Sequence, residues 1–139
     1  MRRPDYDRYL DDLSVSREGN ILTVSLDNPD NMNANTEPMH WSLSRIWDDI
    51  DADPDVSVVI FTAAGDRAFS AGGDPAHMQR TIGDDVHWHK VAGEAKRIIF
   101  GMLACNKPVI ARLNGHAVGF GATLALSLIH ISEPTRLQV

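Results

Sequence analysis

Apolar residues along this chain keep two different rhythms. From Leu13 to Arg17 and from Ile21 to Leu26 they come at every second position, with Leu22, Val24 and Leu26 set against Thr23 and Ser25. A period of two belongs to half-buried strands, here expected on either side of the turn Glu18-Gly19-Asn20. Asp27-Asn28-Pro29-Asp30-Asn31 is a loop by composition. The rhythm then lengthens. Met39, Leu43, Ile46, Trp47 and Ile50 recur at helical spacing, predicting one helix with a single apolar face. Asn35 or Thr36 can cap it, Pro38 suits its first turn, and Asp53-Pro54-Asp55 stops it. Val56 to Thr62 is a β-branched run with too few polar positions for one-sided exposure, as in a parallel sheet covered on both faces. The loop Ala63 to Arg67 leads to a Gly-Gly turn. A long helix is expected from Asp84 to Leu103, with Val91, Ala95, Ile98, Ile99 and Met102 inward. A strand follows from Val109 to Leu113, and another helix opens at Gly119. The order predicts an α/β fold with repeated crossovers.

Composition changes this picture little. The chain has 139 residues, 43% hydrophobic and 23% charged, as in an ordinary globular domain. A net charge of −6 speaks against a nucleic-acid surface. The start Met1-Arg2-Arg3-Pro4-Asp5-Tyr6-Asp7 has no apolar run behind its two arginines and does not read as a signal peptide. No stretch reaches the length of a membrane span. The single cysteine, Cys105, fits a reducing compartment, so a cytoplasmic protein is expected. Its thiol reads as inert and half-buried rather than nucleophilic.

Two glycine-rich turns carry the candidate chemistry. The first is Ala68-Phe69-Ser70-Ala71-Gly72-Gly73-Asp74. The second is Asn106-Lys107-Pro108-Val109-Ile110-Ala111-Arg112-Leu113-Asn114-Gly115-His116-Ala117-Val118-Gly119-Phe120-Gly121. Each runs from a short apolar strand into helix-start signals; Asp74 followed by Pro75 is a cap with proline at the first helical position. Such turns leave backbone N–H groups unpaired. One alone reads more readily as a tight strand-to-helix connection without a ligand, because Gly-Gly turns are common. Two together form a pocket for a developing negative oxygen. The second turn is not G-x-G-x-x-G, which leaves little for a dinucleotide reading.

The pair of turns resembles the enoyl-CoA hydratase/isomerase (crotonase) family. The resemblance covers about residues 13 to 126. It implies a crotonase-like α/β fold of repeated ββα units in a spiral, incomplete at the C-terminus. It implies a backbone oxyanion hole made by the N–H groups of Gly73 and Phe120, acting on an acyl-CoA thioester as substrate, with no separate cofactor and no metal. By the same resemblance, Ser70, Ala71, Gly72 and Asp74 lie along CoA, and so does the loop containing Asn33. The full-length protein is expected to be a homotrimer or hexamer, without nucleic-acid or membrane partners. Three departures stand out. Asn28 replaces the usual Arg before the loop proline, and Phe120 replaces a Gly. Thr123 stands where the two-glutamate hydratases carry a carboxylate. Threonine does not exchange protons near neutral pH. The expected activity is that of an enoyl-CoA hydratase or isomerase. The alternatives are a non-catalytic acyl-CoA-binding paralogue and an inactive truncated fragment.

Other polar residues read as structural. His77, His87 and His89 lack metal-ligand spacing and suggest a solvated or pocket-rim role. Asp84 and Asp85 read as the cap and acidic first turn of a helix. Trp88 reads as core or lid packing, and His116 as structural. Finally, Leu126-Ser127-Leu128-Ile129-His130-Ile131-Ser132-Glu133-Pro134-Thr135-Arg136 matches, in frame, the translation of a transposase adapter used in DNA library preparation. The expected layout is therefore an N-terminal extension over 1–12, the N-terminal half of the domain over 13–126, and adapter read-through over 127–139.

Overall fold

The computed structural model describes residues 4–128 and 130–132, the last three as backbone. A five-stranded sheet runs in the order β1 (Leu13–Glu18), β2 (Ile21–Leu26), β3 (Val58–Ala63), β5 (Val109–Arg112) and β7 (His130–Ser132). β1 and β2 form the expected antiparallel hairpin; β2, β3, β5 and β7 are parallel. β4 (Ala68–Ser70) and β6 (His116–Ala117) make a separate two-stranded parallel sheet. The helices are α1 (Glu37–Leu43), α2 (Ile46–Ala52), α3 (Pro75–Thr81), α4 (Asp85–Ala104) and α5 (Phe120–Leu126). β7 falls in the adapter-like string and pairs with β5 through backbone groups, which require no particular side chain. Ile129 and residues 133–139 of the expected read-through lie outside the described residues.

The helix expected through Met39 and Ile50 is two helices. Ser44 Oγ and Arg45 Nη1 donate to the Trp41 carbonyl at 2.7 and 3.2 Å, in place of a helical N–H. Both helices still turn Met39, Leu43, Ile46, Trp47 and Ile50 inward, all fully or almost fully buried. Thr36 is the cap, its hydroxyl accepting from Met39 N–H. Strand β3 begins two residues later than expected, because Asp53 and the turn behind it hold Val56. Along α4 the buried positions are Glu94, Ile98 and Met102. Val91, Ala95 and Ile99 are only half-buried.

Three rings join the layers of the core. Trp47 of α2 meets Phe61 of β3 edge-on at 5.5 Å, and Phe61 meets Phe69 of β4 in the same way at 5.5 Å. Such pairs add about 1 kcal/mol each beyond their area. The core thus grips the strand that leads into the first glycine turn. The expected N-terminal extension also packs against the domain: Tyr9 is fully buried and the Tyr6 hydroxyl donates to Asp53 at 2.7 Å. Among the described residues no helix is long and apolar enough to cross a membrane.

Asp53 closes α2 with a fully buried carboxylate. It accepts from Tyr6, from Arg17 Nη2 at 2.7 Å and from Asp55 N–H at 2.9 Å. Burial pushes its carboxyl up, but the hydrogen bonds from Tyr6, Asp55 and Arg17 outweigh that and hold it below the usual value. A depressed folded value means that the stabilisation is complete above the unfolded carboxylate range, near pH 4, and fades as pH falls through the folded value. Asp53→Ala is expected to lose about 3 kcal/mol near neutral pH by uncovering Arg17 and Tyr6. Urea midpoints measured from neutral to acid pH check this: the variant's deficit shrinks on the acid side.

Candidate active site

The two glycine turns come together because β4 and β6 pair in parallel, with Ala68 opposite His116 and Ser70 opposite Ala117. His116 N–H donates to Arg67 O and Val118 N–H to Ser70 O, at 3.2 and 2.9 Å. Side chains would prevent this approach. A Cβ on Gly115 would lie 2.4 Å from Arg67 O, and one on Gly121 would lie 2.7 Å from Ser70 O. Gly72 has φ +98° and Gly119 φ +56°, backbone angles that favour glycine. A Cβ on Gly72 would meet Val118 O at 3.0 Å and Phe120 N at 3.6 Å. One turn therefore lies directly on the other.

The N–H directions follow from this pairing. Asn35 bridges the first turn: its N–H donates to Gly72 O at 2.6 Å, and its carbonyl accepts from Asp74 N–H at 3.3 Å. In such a parallel bridge the middle residue, Gly73, turns its own N–H to the opposite side. Phe120 is the first residue of α5, where an N–H has no helical acceptor. Among the described residues neither the Gly73 nor the Phe120 N–H makes a hydrogen bond. Gly73 is exposed and Phe120 half-buried.

The other expected site residues take distinct places. Asn33 is almost fully buried and spends its side chain on the protein's own backbone. It accepts from Asn28 N–H and donates to the carbonyls of Ala64 and Ala68, each at 2.9 Å. Its role is to hold the loop against β4. The hydroxyl of Ser70 accepts from Gly72 N–H at 3.1 Å and shapes the turn from within. Ala71 is exposed, its N–H tied to Met32 O at 3.0 Å. Asp74 caps α3 by accepting from His77 N–H at 3.1 Å. Asp84 caps α4 through His87 N–H at 2.9 Å. Thr123 is exposed, and its hydroxyl turns back to Gly119 O at 3.3 Å. Cys105 is half-buried, and burial pushes its thiol up.

Next to the turns lies a set of ionisable residues that periodicity did not reveal. His40 on α1 and Glu94 on α4 are both buried, with Nδ1 and Oε2 2.8 Å apart. Arg45 Nη1 stands 3.6 Å from the other Glu94 oxygen. Burial pushes the His40 imidazole below its ordinary value, while Glu94 pulls the other way. His40 is therefore neutral at neutral pH, and its Nδ1–H donates a hydrogen bond to the carboxylate. The His40 ring meets Phe120 at 6.0 Å and His77 at 5.4 Å, and His77 meets His87 at 6.1 Å. His77, expected in a solvated or rim position, is 7% exposed. Trp88, expected in packing, is 55% exposed. It lines an apolar groove of about 230 Å³ with His77, Met78, Thr81, Ile82 and Val91. One sequence signal was available: Glu94 interrupts the apolar stripe that runs through Ile98 and Met102, and a carboxylate there needs a partner. Among the described residues no three His, Cys, Asp or Glu side chains are grouped as a metal would require.

A hairpin followed by parallel crossovers, with two stacked strand-to-helix turns at one end, defines a crotonase-type spiral fold. The chain belongs to the enoyl-CoA hydratase/isomerase family, whose sequence profile matches residues 16–128. It resembles the crystal structure of an enoyl-CoA hydratase/isomerase from Mycobacterium paratuberculosis, with a TM-score of 0.84 and 32% identity over 88% of this chain and 49% of that one. An enoyl-CoA hydratase/carnithine racemase structure from Magnetospirillum magneticum gives a TM-score of 0.82 and 32% identity over 89% and 46%. Carnitinyl-CoA dehydratase of Escherichia coli is 33% identical over 83% of this chain and 42% of its own length. The chain spans about half the length of the curated relatives it matches.

The contact between the turns is testable by itself. Gly121→Ala forces a methyl group against Ser70 O and Cβ, both backbone-anchored. Overpacking of this kind costs about 1–3 kcal/mol. Chemical denaturation should show that loss, and amide exchange should quicken at Val118, whose bond to Ser70 O joins the turns.

Proposed function

We propose that the complete protein is an enoyl-CoA hydratase or isomerase acting on an acyl-CoA thioester. One observation supports this most: two unpaired N–H groups, of Gly73 and Phe120, on turns stacked against each other. A thioester oxygen accepting both would gain charge as an enolate forms, and fixed backbone donors stabilise that charge without reorganising. CoA would run along the exposed edge at Ala71, with Ser70, Gly72 and Asp74 shaping it and Asn33 bracing the loop behind. The apolar groove beside Met78 and Trp88 suits the acyl chain. The remaining half of the domain, absent here, would complete the sheet and supply the trimer or hexamer contacts. Residues 127–139 would not be native, and the cytoplasm is the compartment that Cys105 suits. A second reading, acyl-CoA binding without turnover, is favoured by Thr123, whose exposed hydroxyl cannot replace a carboxylate.

Two variants of the full-length protein separate donor from shape. Gly73→Ala keeps the N–H and displaces only the end of Met78, whose sulfur lies 2.8 Å from the new methyl. Gly73→Pro removes the N–H. The expected kcat on an enoyl-CoA is reduced mildly by alanine and by about 10²–10³ by proline. Equal rates for proline and wild type would refute the oxyanion assignment.

A further inference from the structure

We propose that His77 is the proton-transferring group of this site, in place of a carboxylate at Thr123. The inference rests on the thioester reading above and deepens it. His77 lies on the first turn of α3, just after the Gly73 turn. Its Nδ1 is 3.4 Å from the Asn35 carbonyl. Asn35 is the residue that bridges the Gly72–Asp74 backbone, so one residue sets both the oxyanion turn and the imidazole. A carbonyl can only accept, so Nδ1 carries the proton and Nε2 keeps its lone pair.

That Nε2 is buried and, among the described residues, has no hydrogen-bond partner. An unpartnered buried nitrogen destabilises the free chain, and a ligand that engages it removes the penalty. His77 also lines the apolar groove, next to Met78, which packs over Gly73. Behind it, the neutral His40 and the Glu94 carboxylate form a buried pair. An imidazolium at His77 would face this carboxylate across one ring, with Arg45 on its far side. From α4, His87 meets the His77 ring at 6.1 Å, and Lys90 acts on His40.

The step is a double-bond migration that needs no co-reactant. Nε2 takes a proton from C2 of a 3-enoyl thioester. The C–H electron pair becomes the C1–C2 double bond, and the carbonyl π pair moves to the oxygen held by Gly73 and Phe120. When the dienolate collapses, Nε2–H returns the proton to C4, the double bond becomes 2,3, and the carbonyl reforms. The site so built favours isomerisation over hydration, since one base serves both carbons and no second acid is required.

The test uses the full-length protein in D2O with a saturated acyl-CoA, octanoyl-CoA, which can exchange its C2 protons but cannot isomerise. Calorimetry reads binding and mass spectrometry reads deuterium at C2. His77→Asn keeps a donor for Asn35 O and deletes Nε2. It is expected to bind octanoyl-CoA within about threefold of wild type and to exchange C2 at least ~100-fold more slowly, the range of a lost general base. His77→Ala should regain exchange on adding imidazole, which a purely structural role would not produce. Exchange by His77→Asn within about twofold of wild type would overturn the His77 assignment and leave the thioester reading intact. Absence of both binding and exchange in the wild type would overturn both.

Discussion

The parallel contact between β4 and β6 is the constraint from which the site follows. It spans only two residue pairs, Ala68 with His116 and Ser70 with Ala117. So short a ladder holds because glycine stands wherever the partner backbone comes within a methyl's reach, at Gly115, Gly121 and Gly72. On the core side, Phe69 lies between these residues and is fixed through Phe61 to Trp47. On the outer side, Asn35 pins the turn after β4. The turn is therefore gripped from both sides, and its two flanking backbone groups are already satisfied. What remains unpaired is the Gly73 N–H, beside the free N–H that opens α5. In the proposed reading these two backbone donors, and no side chain, would receive the negative charge.

Much of the fold was legible because burial writes itself into period. The alternation Leu22, Val24, Leu26 and the run through Val59 and Phe61 each named a strand of the sheet, although the second face of the latter, at Val58 and Ile60, is only half-buried. The glycine turns were legible because Asp74-Pro75 marks a helix start directly after Gly-Gly, and because a second glycine-rich turn follows. The split between α1 and α2 was not legible. The apolar stripe continues unbroken across it, and the break depends on Ser44 and Arg45 reaching one carbonyl. The β4–β6 sheet was hidden for a related reason, since strands of three and two residues carry no period. His40 and Glu94 were missed because their partnership crosses from one helix to another. Periodicity marks a buried polar residue only as an interruption.

The polar core beside the turns changes how the missing carboxylate at Thr123 is understood. Burying a glutamate is unfavourable without partners, and here two are provided, the His40 imidazole and Arg45. The same area of core holds His77 and touches Phe120. A chain selected only to fold would fill that space more stably with apolar side chains. His40, His77, His87 and Glu94 lie together beside the two turns, and under the proposal for His77 the acid–base chemistry would come from a different wall of the site than Thr123 occupies.

The proposed chemistry depends on Gly73 and Phe120 together polarising a thioester carbonyl. The most direct measurement is the 13C resonance of an acyl-CoA labelled at the thioester carbon, bound to the full-length protein. Two donated hydrogen bonds draw electron density onto the oxygen, so the expected resonance lies clearly downfield of free acyl-CoA in water, with a smaller displacement when Gly73 is replaced by proline. A bound resonance at the free position would rule out the two-donor oxyanion hole, because the carbonyl would then meet no more hydrogen bonding in the site than in solvent.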